Sequence, residues 1–454
     1  MLSITTLRRR SPLGSFNRIL VTVGATIIGI SIVQLANGYL GTLVSMRTAS
    51  EGFAPLMAGL VLAAYYGGYT IGAATVSGVL QRVGHIRMFA ALAGLVAASV
   101  SLQPVFTSPE AWIAIRLLTG IGCAGLFVTA ESWLNASTTQ QNRGTIFAIY
   151  MVATYATFGL GQFVLTLPAP GGYELFSLAA ALFCIALLPV SLTRRIPPTL
   201  TPGPRLSLRE LQHVAPVAFV GCAVSGLISA SFFSLMPAEA QAAGATTEQV
   251  SRLMATAIFG GLAFQIPVGA VSDRFDRRIV AAVLAGVLAI LCLGMILVPP
   301  GGWPRLVLTF LFGGFMATIY PVSVSHANDR VDPDKVVSVS GQLILINGTA
   351  SFVGPLLGAW LRGIGGITFV FAYMATAAVL FIAFTLWRVR NVAPAERRER
   401  PFVILTERVG QQFAHAPDSD ALPDGVAAEA ALAETDAEEA AREPEPSQKE
   451  QSES

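Results

Sequence analysis

Residues 269–278 read GAVSDRFDRR, and five of the last six positions are charged: Asp273, Arg274, Asp276, Arg277 and Arg278. The cluster follows a long apolar run in a chain of 454 residues that is 53% hydrophobic and only 12% charged. Ionisable groups are costly in hydrocarbon, so a dense group between two apolar runs marks a turn in water. Outward from it, residues 248–271 and 278–299 are each long enough to cross a bilayer as a helix, which takes about 20 residues. The same test finds ten further stretches, from 18–44 at the start to 335–361 and 366–389 at the end. A backbone in lipid must satisfy its own hydrogen bonds, so each is expected to be helical despite abundant glycine and β-branched residues. The mean hydropathy of +0.63 agrees. The expected fold class is an all-α integral membrane protein with twelve transmembrane helices.

Sidedness follows from the basic residues, which stay cytoplasmic near membrane ends. Arg8, Arg9, Arg10, Arg82, Arg87, Arg143, Arg194, Arg195, Arg205, Arg209, Arg274, Arg277, Arg278, Arg330, Lys335, Arg388 and Arg390 fall on one side of a twelve-helix path. The other side holds only Arg47, Arg252, Arg305 and Arg362. Both termini are therefore expected in the cytoplasm. The basic, proline-rich stretch RRIPPTLTPGPRLSLRE, starting at Arg194, has the composition of a linker. It divides the chain into an N-terminus (1–17), a six-helix bundle (18–193), the linker (194–212), a second six-helix bundle (213–390) and a tail (391–454). After residue 400 the tail holds thirteen acidic and three basic residues with few groups to bury, which predicts disorder. Cys123, Cys184, Cys222 and Cys292 all lie in apolar segments without CxxC spacing, and read as packing residues.

The charged loop has a counterpart, SGVLQRVGHIR at 77–87. An offset of 192 pairs Gln81 and Arg82 with Asp273 and Arg274, Gly68 with Gly260, and Gly122 with Gly314; one residue more pairs Gly161 and Gln162 with Gly354 and Pro355. A nearly constant offset over several regions indicates two homologous halves. On these residues the chain resembles the major facilitator superfamily of secondary transporters, over about residues 18–390. GAVSDRFDRR is similar to that family's G-x-x-x-D-R-x-G-R-R loop after helix eight, with Asp276 in place of the second glycine. RLLTGIG at 116–122 is similar to a second signature, on helix four. AESWLN at 130–135 and NRGTIFAIYM at 142–151 resemble the bacterial YcaD-like branch. The resemblance implies the major facilitator fold, a bacterial inner-membrane location and transport by alternating access. NGTASFVGP at 347–355 resembles an antiporter-type motif, but the family places that motif on helix five, where this chain has Gln162; antiport is not supported.

Two charges lie inside helix four. Arg116 and Glu131 are fifteen residues apart, on nearly one face but about 22 Å distant, so they do not pair directly. An ionisable group in a membrane faces protein or a water-filled cavity. Arg116 is thus a candidate ligand for an anionic group, against the alternative of cross-linking helices. Glu131 is either a proton carrier or a gate anchor paired with Arg82, Arg87 or Arg143. Polar residues on shared helical faces add binding candidates: Gln34 and Asn37, Tyr150 and Thr154, then Ser229, Tyr320, Gln342 and Asn347. Each taken singly reads first as a hydrogen-bonding link between helices and only second as a substrate ligand. Gln81, Arg82, Arg143, Asp273, Arg274, Arg277 and Arg278 form the expected cytoplasmic gate. Gly120, Gly161, Gly348, Gly354 and Pro355 are expected to let helices approach or bend.

No HExxH, GxSxG, Walker A or paired intramembrane carboxylates are present, and His85, His213, His326 and His415 lack metal spacing. The chain is therefore expected to be a non-enzymatic monomer without cofactor, metal or nucleic-acid partner. Its expected partners are the lipid bilayer and a small-molecule substrate, with proton coupling open. A receptor or scaffold that kept the fold and lost transport is the competing reading.

Overall fold

The computed structural model describes residues 12–138, 140–167, 172–192, 208–331 and 335–391. The expected N-terminus up to residue 11, most of the linker and the acidic tail lie outside the described residues. Within them the chain forms α1 (Pro12–Ser50), α2 (Pro55–Val83), α3 (His85–Leu102), α4 (Pro109–Ala136) and α5 (Gln140–Gly161). A 3-10 turn (Gln162–Thr166) extends α5, and α6 (Glu174–Ile185) is continued by Leu187–Ser191. After a short helix (Leu208–Val214) come α7 (Pro216–Ala242), α8 (Thr247–Arg274), α9 (Arg277–Leu297), α10 (Gly302–Asn328) and α11 (Val336–Asn391). Among the described residues, eleven of these helices are long and apolar enough to cross a membrane.

Local chemistry sets the boundaries. Pro55, Pro109 and Pro216 open their helices at the first turn, where a missing N–H costs nothing. Thr246 and Gln249 form a reciprocal capping box at the start of α8. The last span, Ser338–Asn391, has 54 residues, which as one straight helix would run about 80 Å, far beyond one hydrocarbon layer. It is broken at Gly365 (φ −141°, ψ 21°) and Gly366 (φ 69°, ψ −163°). The left-handed φ of Gly366 is one that side-chain-bearing residues rarely adopt. The sequence reading ends a helix at 361 and starts the next at 366; the first limb of α11 instead runs on to Ile364.

Helices α1 to α6 pack among themselves, as do α7 to α11, and the two groups touch along α1–α7, α2–α11 and α5–α8. Consecutive helices run antiparallel. The turns at 83–85 and 274–277 therefore share one end, here called the basic end, and those at 50–55, 242–247 and 297–302 share the opposite, distal end. The tightest crossings recur in both groups. A Cβ at Gly68 on α2 would fall on the Leu117 carbonyl of α4, and one at Gly120 on the Tyr65 carbonyl. In the second group Gly260 on α8 meets the Phe310 carbonyl of α10, and Gly313 meets the Ala257 carbonyl. Gly68 thus corresponds to Gly260, as the sequence offset predicts. On α4 and α10 the equivalent pair is Gly120 with Gly313, not Gly122 with Gly314: those two meet side chains, Val96 and Phe264.

The other expected packing residues also sit at crossings. Gly161 faces the Leu35 carbonyl of α1, Gly354 the Leu227 carbonyl of α7, and Gly348 the Thr70 side chain of α2. The Pro355 carbonyl lies against Gly59.

Candidate functional site

Three neighbouring cavities lie between the two helix groups, and Phe233 on α7 lines all three. The first is walled by Gln34, Tyr155 and Phe158 on one side and by Ile258, Gly261, Met316 and Ala317 on the other. The second lies between Tyr65, Tyr66 and Tyr69 of α2 and Ser229, Asn347 and Ser351. The third brings Asn37, Tyr65 and Arg116 against Phe233 and Ser234.

Arg116 is buried, and its guanidinium carbon stands 4.5 Å from the centre of the Tyr65 ring, within cation–π range. The Tyr65 hydroxyl donates to Asn37 Oδ1 at 3.2 Å, and Asn37 Nδ2 lies 3.5 Å from Gln34 Oε1. A polar chain thus runs from the arginine along α1, with aromatic rings around it. Such a mixture suits a small solute that has both a flat or apolar body and a polar or anionic group.

Of the sequence candidates, the structure gathers Gln34, Asn37, Arg116, Ser229 and Asn347 at these cavities. Asn347 is also tied down by donating to the Cys222 carbonyl at 3.1 Å. Tyr150, Thr154, Tyr320 and Gln342 do not line them. Thr154 turns back onto the Tyr150 and Met151 carbonyls of its own helix, as helical threonines often do. Tyr150 donates to Glu131 Oε1 at 3.2 Å, joining α5 to α4. Arg82 and Arg87, two of the three arginines considered for Glu131, are exposed instead, and the side chain of Arg143 lies outside the described residues.

Phe233, Tyr155 and Ala317 were not singled out by sequence reasoning, yet a signal for Phe233 and Ala317 exists. Proline inside a helix leaves the carbonyl four residues earlier without its partner. Pro237, Pro321 and Pro355 lie inside α7, α10 and α11 and release the carbonyls of Phe233, Ala317 and Ser351, all cavity-lining residues. The Ala317 carbonyl accepts from Gln265 Nε2 at 3.3 Å, and the same amide lies 3.2 Å from the Tyr155 hydroxyl across the group boundary.

The Major Facilitator Superfamily model matches residues 19–238 and 218–415. The chain belongs to the major facilitator superfamily. It is 27% identical to the uncharacterized MFS-type transporter YcaD of Escherichia fergusonii, over 80% of this chain and 95% of that protein. An uncharacterized MFS-type transporter of Enterobacter sp. (strain 638) is 26% identical over 79% of this chain and 93% of its own length. These relatives bear out the resemblance to the YcaD-like branch. Among solved structures, a mutant of the nucleoside transporter NupG superposes with a TM-score of 0.70 at 15% identity, covering 81% of this chain and all of that one. A bacterial homolog of the human lysosomal transporter Spinster, inward-facing and occupied, gives 0.67 at 12% identity, over 84% and 98% of the two chains. At such identities the likeness speaks for the fold alone.

The superfamily loop at 269–278 is a compact charge network within the second helix group. Arg277 is buried and donates to Asp329 Oδ2 at 2.7 Å, joining α9 to the end of α10, and to Asp273 Oδ1 at 3.0 Å. Asp276, where the family pattern has glycine, caps α9: it accepts from the Arg278 backbone N–H at 2.9 Å and from the Arg278 side chain at 2.8 Å. Burial raises the pKa of Asp276, but the Arg278 hydrogen bonds and charge outweigh it, holding the carboxyl below its ordinary value. The helix N-terminus is thus served by Asp276 rather than Asp273. Gln81, Arg82 and Arg274 are exposed.

Proposed function

We propose that this superfamily member is a twelve-span secondary transporter of the bacterial inner membrane. The break at Gly365 and Gly366 supports reading α11 as two spans, twelve in all, with both termini proposed on the basic, cytoplasmic side. Two six-helix bundles then rock about the central site in alternating access. The substrate is a small solute with an apolar or flat body and a polar or weakly anionic group. The observation that carries the reading is the set of cavities sharing Phe233, each walled by both helix groups.

The contacts between the groups support a state closed at the distal end. Ser45 of α1 donates to the Ser234 carbonyl and accepts from the Ala238 N–H of α7. Gly59 packs on Ala359, and Gly159 on Phe259. Saturable flux of a solute into proteoliposomes tests the proposal. A ligand that binds the purified protein but never crosses would favour the receptor alternative instead.

Two substitutions separate roles within the proposal. Glu131→Gln retains an oxygen that accepts from Tyr150, so solute flux is expected to stay within about twofold, while Glu131→Ala strands a buried hydroxyl and costs about 1–3 kcal/mol in stability. Loss of proton-driven uptake by Glu131→Gln, with exchange intact, would make Glu131 a proton carrier instead. At the cytoplasmic loop, Asp273→Asn removes one of the two carboxylates on Arg277. Because Asp273 is partly exposed, the pair is worth at most about 1 kcal/mol, or roughly fivefold in flux, whereas Gln81→Asn should change little. Equal effects in the two flux assays would remove Asp273 from the gate.

A further inference from the structure

A further cavity, of about 560 Å³, lies apart from the central ones. It lies at the distal end of the second helix group, between the α7–α8 and α9–α10 turns, and is lined in part by Ala245, Gln249, Arg252, Trp303 and Arg305. We propose that it binds the phosphodiester headgroup of an anionic phospholipid from the distal leaflet.

The four arginines of the distal end show why. Arg47 pairs with Glu51 and Arg362 with Glu239, at 2.5 and 2.6 Å. Arg252 reaches Glu248 only at 3.8 Å, and both are exposed, so the contact is loose and screened. Arg305 is 6% exposed and forms no ion pair among the described residues. Its Nη1 donates to the Met295 and Val298 carbonyls, at 2.6 and 3.0 Å, closing the end of α9, while its buried Nε has no partner among the described groups. A buried guanidinium facing only carbonyls is poorly compensated, and an anion at the cavity would supply what is missing.

The first helix group supplies an internal comparison. The offset of 193 that relates Gly120 to Gly313 places Trp112 at the position of Arg305. Trp112 does the same closing job, donating its indole N–H to the Gln103 carbonyl at 2.9 Å beyond α3. A neutral donor therefore suffices for the cap, and the charge of Arg305 is additional to it. The space is also treated differently. In the first group Phe53, Trp112 and Phe176 fill it, with ring centres 5.4 and 6.3 Å apart. Phe53 immediately precedes the N-cap of α2; its counterpart before the N-cap of α8 is Ala245, which leaves the cavity open.

Lipid rather than a soluble ion is indicated by what surrounds the mouth. Trp303 is 79% exposed, in the manner of residues at the headgroup level, and Leu293, Leu297 and Val307 present exposed apolar surface on the adjoining helices α9 and α10. A phosphate at Arg305 and Arg252 would leave its acyl chains along that surface, and arginine suits phosphate because its planar donors engage two oxygens together.

Native mass spectrometry of the purified full-length protein, titrated with phosphatidylglycerol, phosphatidylcholine or inorganic phosphate, tests the site. Phosphatidylglycerol is expected to bind at least tenfold more tightly than phosphatidylcholine. Arg305→Trp, which keeps a cap donor, should remove that preference while leaving Tm near the wild-type value. Arg252→Gln, on an exposed side chain outside the packed interior, should weaken phosphatidylglycerol at least threefold; it decides the matter should Arg305→Trp fail to fold. Equal binding of the two lipids, or an Arg252→Gln protein that binds as wild type, would overturn the proposal. Inorganic phosphate binding as tightly as phosphatidylglycerol would equally overturn it, in favour of a soluble anion.

Discussion

Gly68→Leu is expected to leave little folded protein, whereas Gly78→Leu, ten residues along the same helix, should fold normally. At Gly68 the first side-chain carbon already lands on the Leu117 carbonyl, a backbone atom that cannot rotate aside; at Gly78 nothing lies within 4 Å. The crossing is reciprocal, because Gly120 presses on the Tyr65 carbonyl one turn away. Inserting leucine would push α2 and α4 apart toward the 8–10 Å typical of helices that carry side chains between them. In lipid, association rests on such close packing rather than on a hydrophobic drive, so lost contacts are not recovered by burial elsewhere. Overpacking ordinarily costs about 1–3 kcal/mol, and a backbone obstacle places this site at or beyond the upper end. Gly78→Leu exchanges a poor helix former for a good one and should stabilise by up to about 1 kcal/mol. Thermal unfolding of both purified variants, with yield by size-exclusion chromatography, checks the pair. Matching midpoints would mean that α2 and α4 do not meet as described.

That crossing also shows where the sequence was legible. Hydrophobic length and the gathering of arginines at one end require no tertiary information, and they led to the helical membrane architecture. The repeat was detectable because Gly68 and Gly260 occupy the same obstacle in each half. Its register on α4 and α10 was not, since Gly120 and Gly122 look alike in sequence and only the crossing tells that Gly120 faces a carbonyl while Gly122 faces the Val96 side chain. At the site, Arg116 stood out because a charge in an apolar helix needs a reason. Phe233 did not, since one phenylalanine among many carries no such demand; only the carbonyl released by Pro237 distinguishes it. Glu131 was visible, but its partner Tyr150 belongs to another helix, and the pairing of helix faces is not written in the spacing along one of them.

Arg116→Gln is expected to reduce solute flux about a hundredfold at equal protein in the membrane. The guanidinium performs two tasks that glutamine does not. It lies over the Tyr65 ring, a desolvated cation–π contact worth about 2 kcal/mol, which fixes the ring whose hydroxyl positions Asn37. It also offers the fixed positive charge of the third cavity, and a hydrogen bond to a charged group contributes about 1.5–3 kcal/mol. Either task alone is worth roughly ten- to a hundredfold at 1.4 kcal/mol per decade, and their partial overlap keeps the total near two decades. Arg116→Lys separates them: the charge remains but the planar, stacking group is gone, so an intermediate loss of about tenfold is expected. Flux in proteoliposomes, read beside the Tm of each purified variant, distinguishes a substrate role from cross-linking. A protein whose Tm falls sharply while the flux per folded molecule is unchanged would make Arg116 a strut between α2 and α4. Normal flux in both variants would move the polar end of the substrate away from this corner, toward the amides of Gln34 and Asn347 in the neighbouring cavities.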